Sequence, residues 1–215
     1  MTGADPAVTG AHDFAVRGSQ TIYSGAILAL RIDDVAMPGG RVATREVVEH
    51  FGAVGIVAAD PQGRIAMVRQ YRHPLGRRLL ELPAGLLDHA DEDPLAAARR
   101  ELAEETDLAA DRWRVLADLA LSPGFTDEAL RLYLAEDLAD LAAAERTDEE
   151  ADMSVEWVAL DAAVAAVLAV VFVNATAVAG VLAAAAARRG ELPLRPVAAP
   201  WPDRPTAFAR RRFRQ

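Results

Sequence analysis

The 215-residue chain predicts a mixed α/β fold of the α+β kind, and three observations carry that expectation. β-prone runs punctuated by turn residues fill the N-terminal part and recur past the middle. One acidic amphipathic helix interrupts them, and an Ala-rich apolar run, Ala162 to Ala187, follows them. With 52% hydrophobic residues the chain can bury a substantial core, as one domain or as one domain with an appendage. Only 6% are aromatic, so Ala, Leu and Val must do most of the packing.

Residues 1 to about 20 are polar and Gly-containing and read as loosely anchored. From Thr21 the pattern turns strand-like, with Ala26 to Ala36 and Arg41 to His50 forming a hairpin around Pro38-Gly39-Gly40. A second hairpin is expected from Ala53 to Ala59 and Arg64 to Tyr71 across Asp60-Pro61-Gln62-Gly63. Leu79 to Leu82 then leads through Pro83 into an Ala84-Gly85 turn, where a missing Cβ permits close backbone approach. Beyond the acidic helix, Trp113 to Leu121 and Ala129 to Leu134 read as strands around the Ser122–Glu128 loop. An acidic loop, Asp137 to Asp152, precedes a last strand, Met153 to Leu160. Ala162 to Ala187 reads as two buried, Ala-packed helices rather than a membrane span, with Asn174 and Gly180 suggesting the break. The tail, with Arg204, Arg210, Arg211, Arg212 and Arg214, reads as a solvated end.

The acidic helix is the most informative stretch. Asp93 suits its N-cap and Pro94 its first turn, where a missing N–H costs nothing. Glu101, Glu104 and Glu105 share one flank, beside an apolar stripe of Leu95, Ala98 and Leu102. Like charges at this spacing repel by roughly 0.2–0.5 kcal/mol per pair, so the trio is either a solvated face or a site for a hard cation such as Mg²⁺ or Mn²⁺.

Gly85, Glu92, Arg100, Glu101, Leu102, Glu104, Glu105 and Leu108 resemble the box of the Nudix hydrolases. The chain departs from the family pattern twice. Six residues rather than five separate Gly85 from Glu92, and Asp107 stands where the pattern has its last glycine. An extra loop residue is cheap, and Asp tolerates the left-handed conformation expected at a helix end. The segments Arg45–His50, Gln70–His73, Glu81–Gly85 and Ser122–Phe125, with Pro123 fifteen residues beyond Leu108, are similar to the ADP-ribose pyrophosphatase branch of that family.

This resemblance implies an α/β/α sandwich with a mixed sheet. Residues 1–50 would form a small N-terminal antiparallel β subdomain that contributes to a homodimer, and residues 51–215 a Nudix hydrolase domain. It implies metal-dependent hydrolysis of the diphosphate of ADP-ribose to AMP and ribose 5-phosphate, with two or three Mg²⁺ or Mn²⁺ ions. Glu101, Glu105 and the carbonyl of Ala84 would hold metal, and Glu104 would be a further ligand or a supporting acid. Arg100 would serve only to hold Glu104. Glu149 or Glu150, on the late acidic loop, would be the general base, with Glu149 preferred by counting back from Trp157. Arg45, Arg72 and Glu128 are candidates for substrate contact, each weighed against a surface ion pair. The alternatives are hydrolysis of a nucleotide sugar, coenzyme A or a flavin dinucleotide, or a silent ADP-ribose sensor; the complete set of box acids argues against the sensor.

Composition narrows the partners. A net charge of −9 opposes general nucleic-acid binding, which relies on a basic surface. There is no Cys, which excludes disulfides and thiolate chemistry, and all 23 basic residues are Arg. The opening residues have neither the basic start nor the apolar core of a signal peptide, so a cytoplasmic protein without membrane attachment is expected. The four histidines show no metal-ligand spacing and receive no role.

Overall fold

A computed structural model describes residues 12–143, 152–190 and 193–213. Ten strands and four α-helices are present among them: β1 (Val16–Ser24), β2 (Leu28–Ala36), β3 (Val42–His50), β4 (Ala53–Ala58), β5 (Arg64–Arg72), β6 (Arg77–Glu81), β7 (Ala84–Leu86), α1 (Pro94–Thr106), β8 (Leu108–Ala120), β9 (Ala129–Asp140), β10 (Ser154–Ala159), α2 (Leu160–Leu168), α3 (Ala175–Arg188) and α4 (Ala207–Phe213).

The strands form three sheets, ordered β1-β2-β3, β10-β5-β6 and β7-β4-β9-β8. The last is mixed, because β4 runs parallel to β9 and antiparallel to β7. Every residue of β4 is buried, and its alternation divides two layers. Val54, Ile56 and Ala58 pack with Ala97, Ala98 and Leu102 of α1, whereas Ala53 and Val57 join Ala163 of α2 and Ala177, Val181 and Ala184 of α3. Helices therefore cover the strands from both sides, and each fully buried branched side chain contributes about 1.5–3 kcal/mol.

Several expectations are corrected by the tertiary arrangement. The Asp60–Gly63 turn forms, with Gly63 at φ 77° and its N–H donating to the Asp60 carbonyl at 3.0 Å. The strands it joins separate into different sheets after a single Ala59–Ile65 bridge, because β5 pairs with β6 and β10 instead. Ala84-Gly85 is part of a strand paired with β4 rather than a turn. Regular structure begins at Val16, ahead of Thr21; β1 is exposed along its whole length and held by its ladder to β2, so no burial pattern marks it.

The apolar run is indeed two helices. Asn174 starts the second, its Oδ1 accepting the Ala177 N–H at 2.9 Å. Gly180 is no break: it lies inside α3, where a Cβ would collide with Leu82 and approach Val57 Cγ2 to 3.2 Å. Among the described residues no helix is long and apolar enough to cross a membrane.

The arginine tail is docked rather than solvated. Phe208 of α4 is fully buried against Phe51, ring centroids 4.6 Å apart. Arg211 donates to Glu49 at 2.7 Å and also to Thr21, while Arg31 reaches the same Glu49 at 2.5 Å. The last helix thereby pins the N-terminal sheet.

Candidate active site

The site grows from the meeting of α1 with β7. Asp93 caps the helix, its carboxylate accepting the N–H groups of Leu95 at 2.9 Å and Ala96 at 3.2 Å, and Pro94 opens the first turn. Asp107 ends it in the left-handed conformation, φ 55° and ψ 34°, its N–H donating to the Ala103 carbonyl. Between these caps the apolar stripe faces β4, which turns the adjoining flank toward β7. Glu101 and Glu105 are buried there, and Glu105 Oε2 accepts the Ala84 N–H at 3.0 Å. A Cβ on Gly85 would overlap the Glu101 carboxyl group. Gly85 is thus required by proximity; no positive φ is involved.

Arg100 does more than hold Glu104. Its Nη1 donates to Glu104 at 3.0 Å and to Glu101 at 2.7 Å, while Nε and Nη2 reach the two carboxylate oxygens of Glu92 at 3.1 and 3.2 Å. The expectation that its role was confined to Glu104 is corrected. Burial pushes the Glu101 carboxyl up from its ordinary value; Arg100 opposes that, while Glu104 and Asp88 add to it.

Among the described residues no three acidic or histidine side chains already converge to hold an ion. The donor chemistry nevertheless fits a hard divalent cation. Glu101, Glu104, Glu105 and the Ala84 carbonyl offer oxygen alone, and a cation would relieve the charge that raises the Glu101 carboxyl.

Other expected residues fall in different places. Arg72, on β5, grips buried Glu81 through two hydrogen bonds, 3.0 and 2.7 Å, and lines a cleft of about 670 Å³ with Gln70, Tyr71, Arg78 and Asp152. Among the described residues Gln70 Nε2 is buried there without a hydrogen-bond partner. Arg45 lies on the exposed face of β3 and donates to the Thr44 carbonyl and Met37 sulfur, not to the helix acids. Pro123 sits in the β8–β9 loop, which is stitched to the end of β3: Val48 N–H donates to the Phe125 carbonyl at 2.8 Å and His50 N–H to the Asp127 carboxylate at 2.8 Å. Glu128, on that loop, stands 3.9 Å from His50 Nδ1. Glu149 and Glu150 lie outside the described residues.

Residue-level reading missed Gln70, Glu81, His50 and Asp127. The signal for Gln70, Glu81 and His50 lay inside the segments Arg45–His50, Gln70–His73 and Glu81–Gly85, and Asp127 lay in the Ser122–Glu128 loop, but only pairing across the fold shows which members face inward.

The fold is α/β/α, and its capped helix sets buried carboxylates against a glycine-bearing strand, a donor set of oxygen alone. The chain belongs to the NUDIX domain family, whose model matches residues 49–177. It is 55% identical over 201 residues to the ADP-ribose pyrophosphatase of Mycobacterium tuberculosis, covering 94% of this chain and 97% of that protein. It is 40% identical over 145 residues to the methanol dehydrogenase activator of Bacillus methanolicus, covering 67% of this chain and 78% of that one. The crystal structure of an ADP compounds hydrolase superposes with a TM-score of 0.71 at 21% identity, covering 82% of this chain and 95% of that one, which shows the fold.

Proposed function

We propose that the protein is a hydrolase that cleaves the diphosphate of ADP-ribose to AMP and ribose 5-phosphate, working in the cytoplasm as a homodimer. The observation that carries the substrate is the 55% identity to an ADP-ribose pyrophosphatase along almost the whole of both chains, with every box acid present. Glu101, Glu105 and the Ala84 carbonyl hold Mg²⁺ or Mn²⁺, two or three ions, with Glu104 as a further ligand or supporting acid. Bound divalent ions screen the diphosphate oxygens and lower the pKa of water.

The chain's own residues supply the rest. Gly85 leaves room for the Glu101 carboxyl, and Arg100 orients Glu101 and Glu104 from behind. Glu149 or Glu150 takes the proton of the attacking water, whose oxygen forms the new P–O bond as the bridging P–O bond breaks. Arg72 and Arg45 offer planar forks to phosphate or adenine-side groups, and Glu128 contacts the terminal ribose or the attacking water. Residues 1–50 act as the dimerising subdomain and residues 51–215 as the hydrolase domain. Exposed Val16, Ile22, Tyr23 and Val42 on the N-terminal sheet support an apolar contact with a second copy.

Replacing Glu105 with Gln tests the site. Turnover of ADP-ribose should fall by roughly 10²–10³-fold while the circular dichroism spectrum stays unchanged. Unaltered turnover refutes the ligand assignment. A wild-type preference for nucleotide sugars, coenzyme A or flavin dinucleotides in a substrate panel refutes the substrate.

A further inference from the structure

A second cavity, of about 580 Å³, opens between the loop that precedes α1 and the face of α4, and its lining contains none of the box acids. Arg204 and Arg210 bring two guanidinium groups to its wall and Asp91 a carboxylate, while the His89 ring there lies 3.8 Å from the Glu92 carboxylate. Arg210 is exposed and its guanidinium makes no ion pair among the described residues. The rings of Phe51 and Phe213 stack at 5.8 Å with planes 29° apart, and Phe213 leaves part of its surface open. The volume lies within the ordinary range for small-molecule sites, roughly 300–1,000 Å³. Guanidinium groups for an anion, aromatic surface for a flat ring and a carboxylate acceptor for a hydroxyl or amino group form one chemical set. We propose that this cavity is an effector site for a nucleoside monophosphate, separate from the site that cleaves substrate.

The cavity is wired to the box. Arg204 Nη2 donates to the Glu92 carbonyl at 3.0 Å, and the Glu92 carboxylate holds Arg100, which in turn holds Glu101 and Glu104. Asp91, beside Glu92, sits at φ 57°, in the left-handed region. The same loop carries the residue by which this chain exceeds the family's box spacing. A phosphate that recruits Arg204 competes with the Glu92 carbonyl and frees the loop it holds, so occupancy acts on turnover through Arg100.

Calorimetry on the full chain in EDTA, with AMP, inorganic phosphate and adenosine as probes, tests the binding. AMP should bind once per chain, inorganic phosphate more weakly, and adenosine not measurably. Arg210→Glu should weaken AMP by about tenfold or more, the scale of a lost charge-assisted pair, and Glu105→Gln should leave AMP affinity unchanged. No AMP binding, binding indifferent to Arg210→Glu, or binding lost in Glu105→Gln overturns the site. With ADP-ribose and metal, AMP should lower kcat in the wild type and only raise KM in Arg210→Glu, whose turnover without AMP is normal. A purely competitive pattern in the wild type overturns the effector role. The binding arm does not depend on the substrate reading: if ADP-ribose is not cleaved at all, calorimetry still decides the cavity.

Discussion

Single side chains set the limits of the acidic site between α1 and β7. Gly85 is the sharpest case, because the Glu101 carboxyl occupies the volume that a Cβ would need. Gly85→Ala is expected to displace Glu101, costing about 1–3 kcal/mol of stability as overpacking does, and to depress kcat far more than it depresses melting temperature. Activity equal to wild type would show that Glu101 tolerates displacement. The need for a small residue that lets backbone approach closely was legible in the chain, but the element was not: spacing suggested a turn, and the structure shows a strand held against a buried carboxylate.

At the scale of elements, local signals worked where they were self-contained. The caps of α1, the start of α3 at Asn174 and the β2–β3 hairpin all depend on neighbours a few residues away. They failed where a distant partner decides. Gly180 looked like a helix breaker, yet it is the point where α3 closes on Leu82 and Val57. Gly180→Ala normally raises the stability of a helix interior by up to about 1 kcal/mol. Here it should lower the urea midpoint instead, because the Leu82 side chain is fully buried and has little room to yield. A raised midpoint would mean that Leu82 repacks freely.

At the scale of the molecule, the segment after α3 straps the sheet. Arg131 grips Asp118 at 2.7 and 3.0 Å, donates to the Ala199 and Pro200 carbonyls, and lies over the Trp201 ring, while Arg195 reaches the same Asp118 at 2.9 Å. Burial alone would raise the Asp118 carboxyl, but hydrogen bonds from Arg131 and Arg195 hold it below the usual carboxylate range. A carboxyl depressed by folding stabilises the fold above its unfolded value, about pH 4, and loses that contribution as pH falls through its folded value. Asp118→Asn should therefore cost about 1–2 kcal/mol at pH 7, since the pair is partly solvated, and denaturation curves of variant and wild type should converge below about pH 4, where the wild type loses the same charge. A gap independent of pH would place the cost in packing.

The proposed dimer belongs to the same scale. Light scattering should give a dimer for the wild type and a monomer for Ile22→Glu with Tyr23→Glu, since the substitutions bury charge in the contact. A wild-type monomer with full activity would overturn the homodimer.

The capped acidic helix, with three glutamates on one flank, was determined by the chain alone, because it depends on residues within a turn or two of one another. Only the tertiary structure decided that β5 leaves β4 for β6 and β10, that Arg100 joins three glutamates rather than one, and that the arginine tail is clamped to Glu49. The clamp on Glu49 turns on a partner 162 residues away and the departure of β5 on β10, whereas Arg100 finds its glutamates nearby in the chain only once the loop before α1 folds back on the helix. Which distant donor meets which buried acceptor is settled when the layers pack, since a buried charge must find its partner wherever the fold provides one.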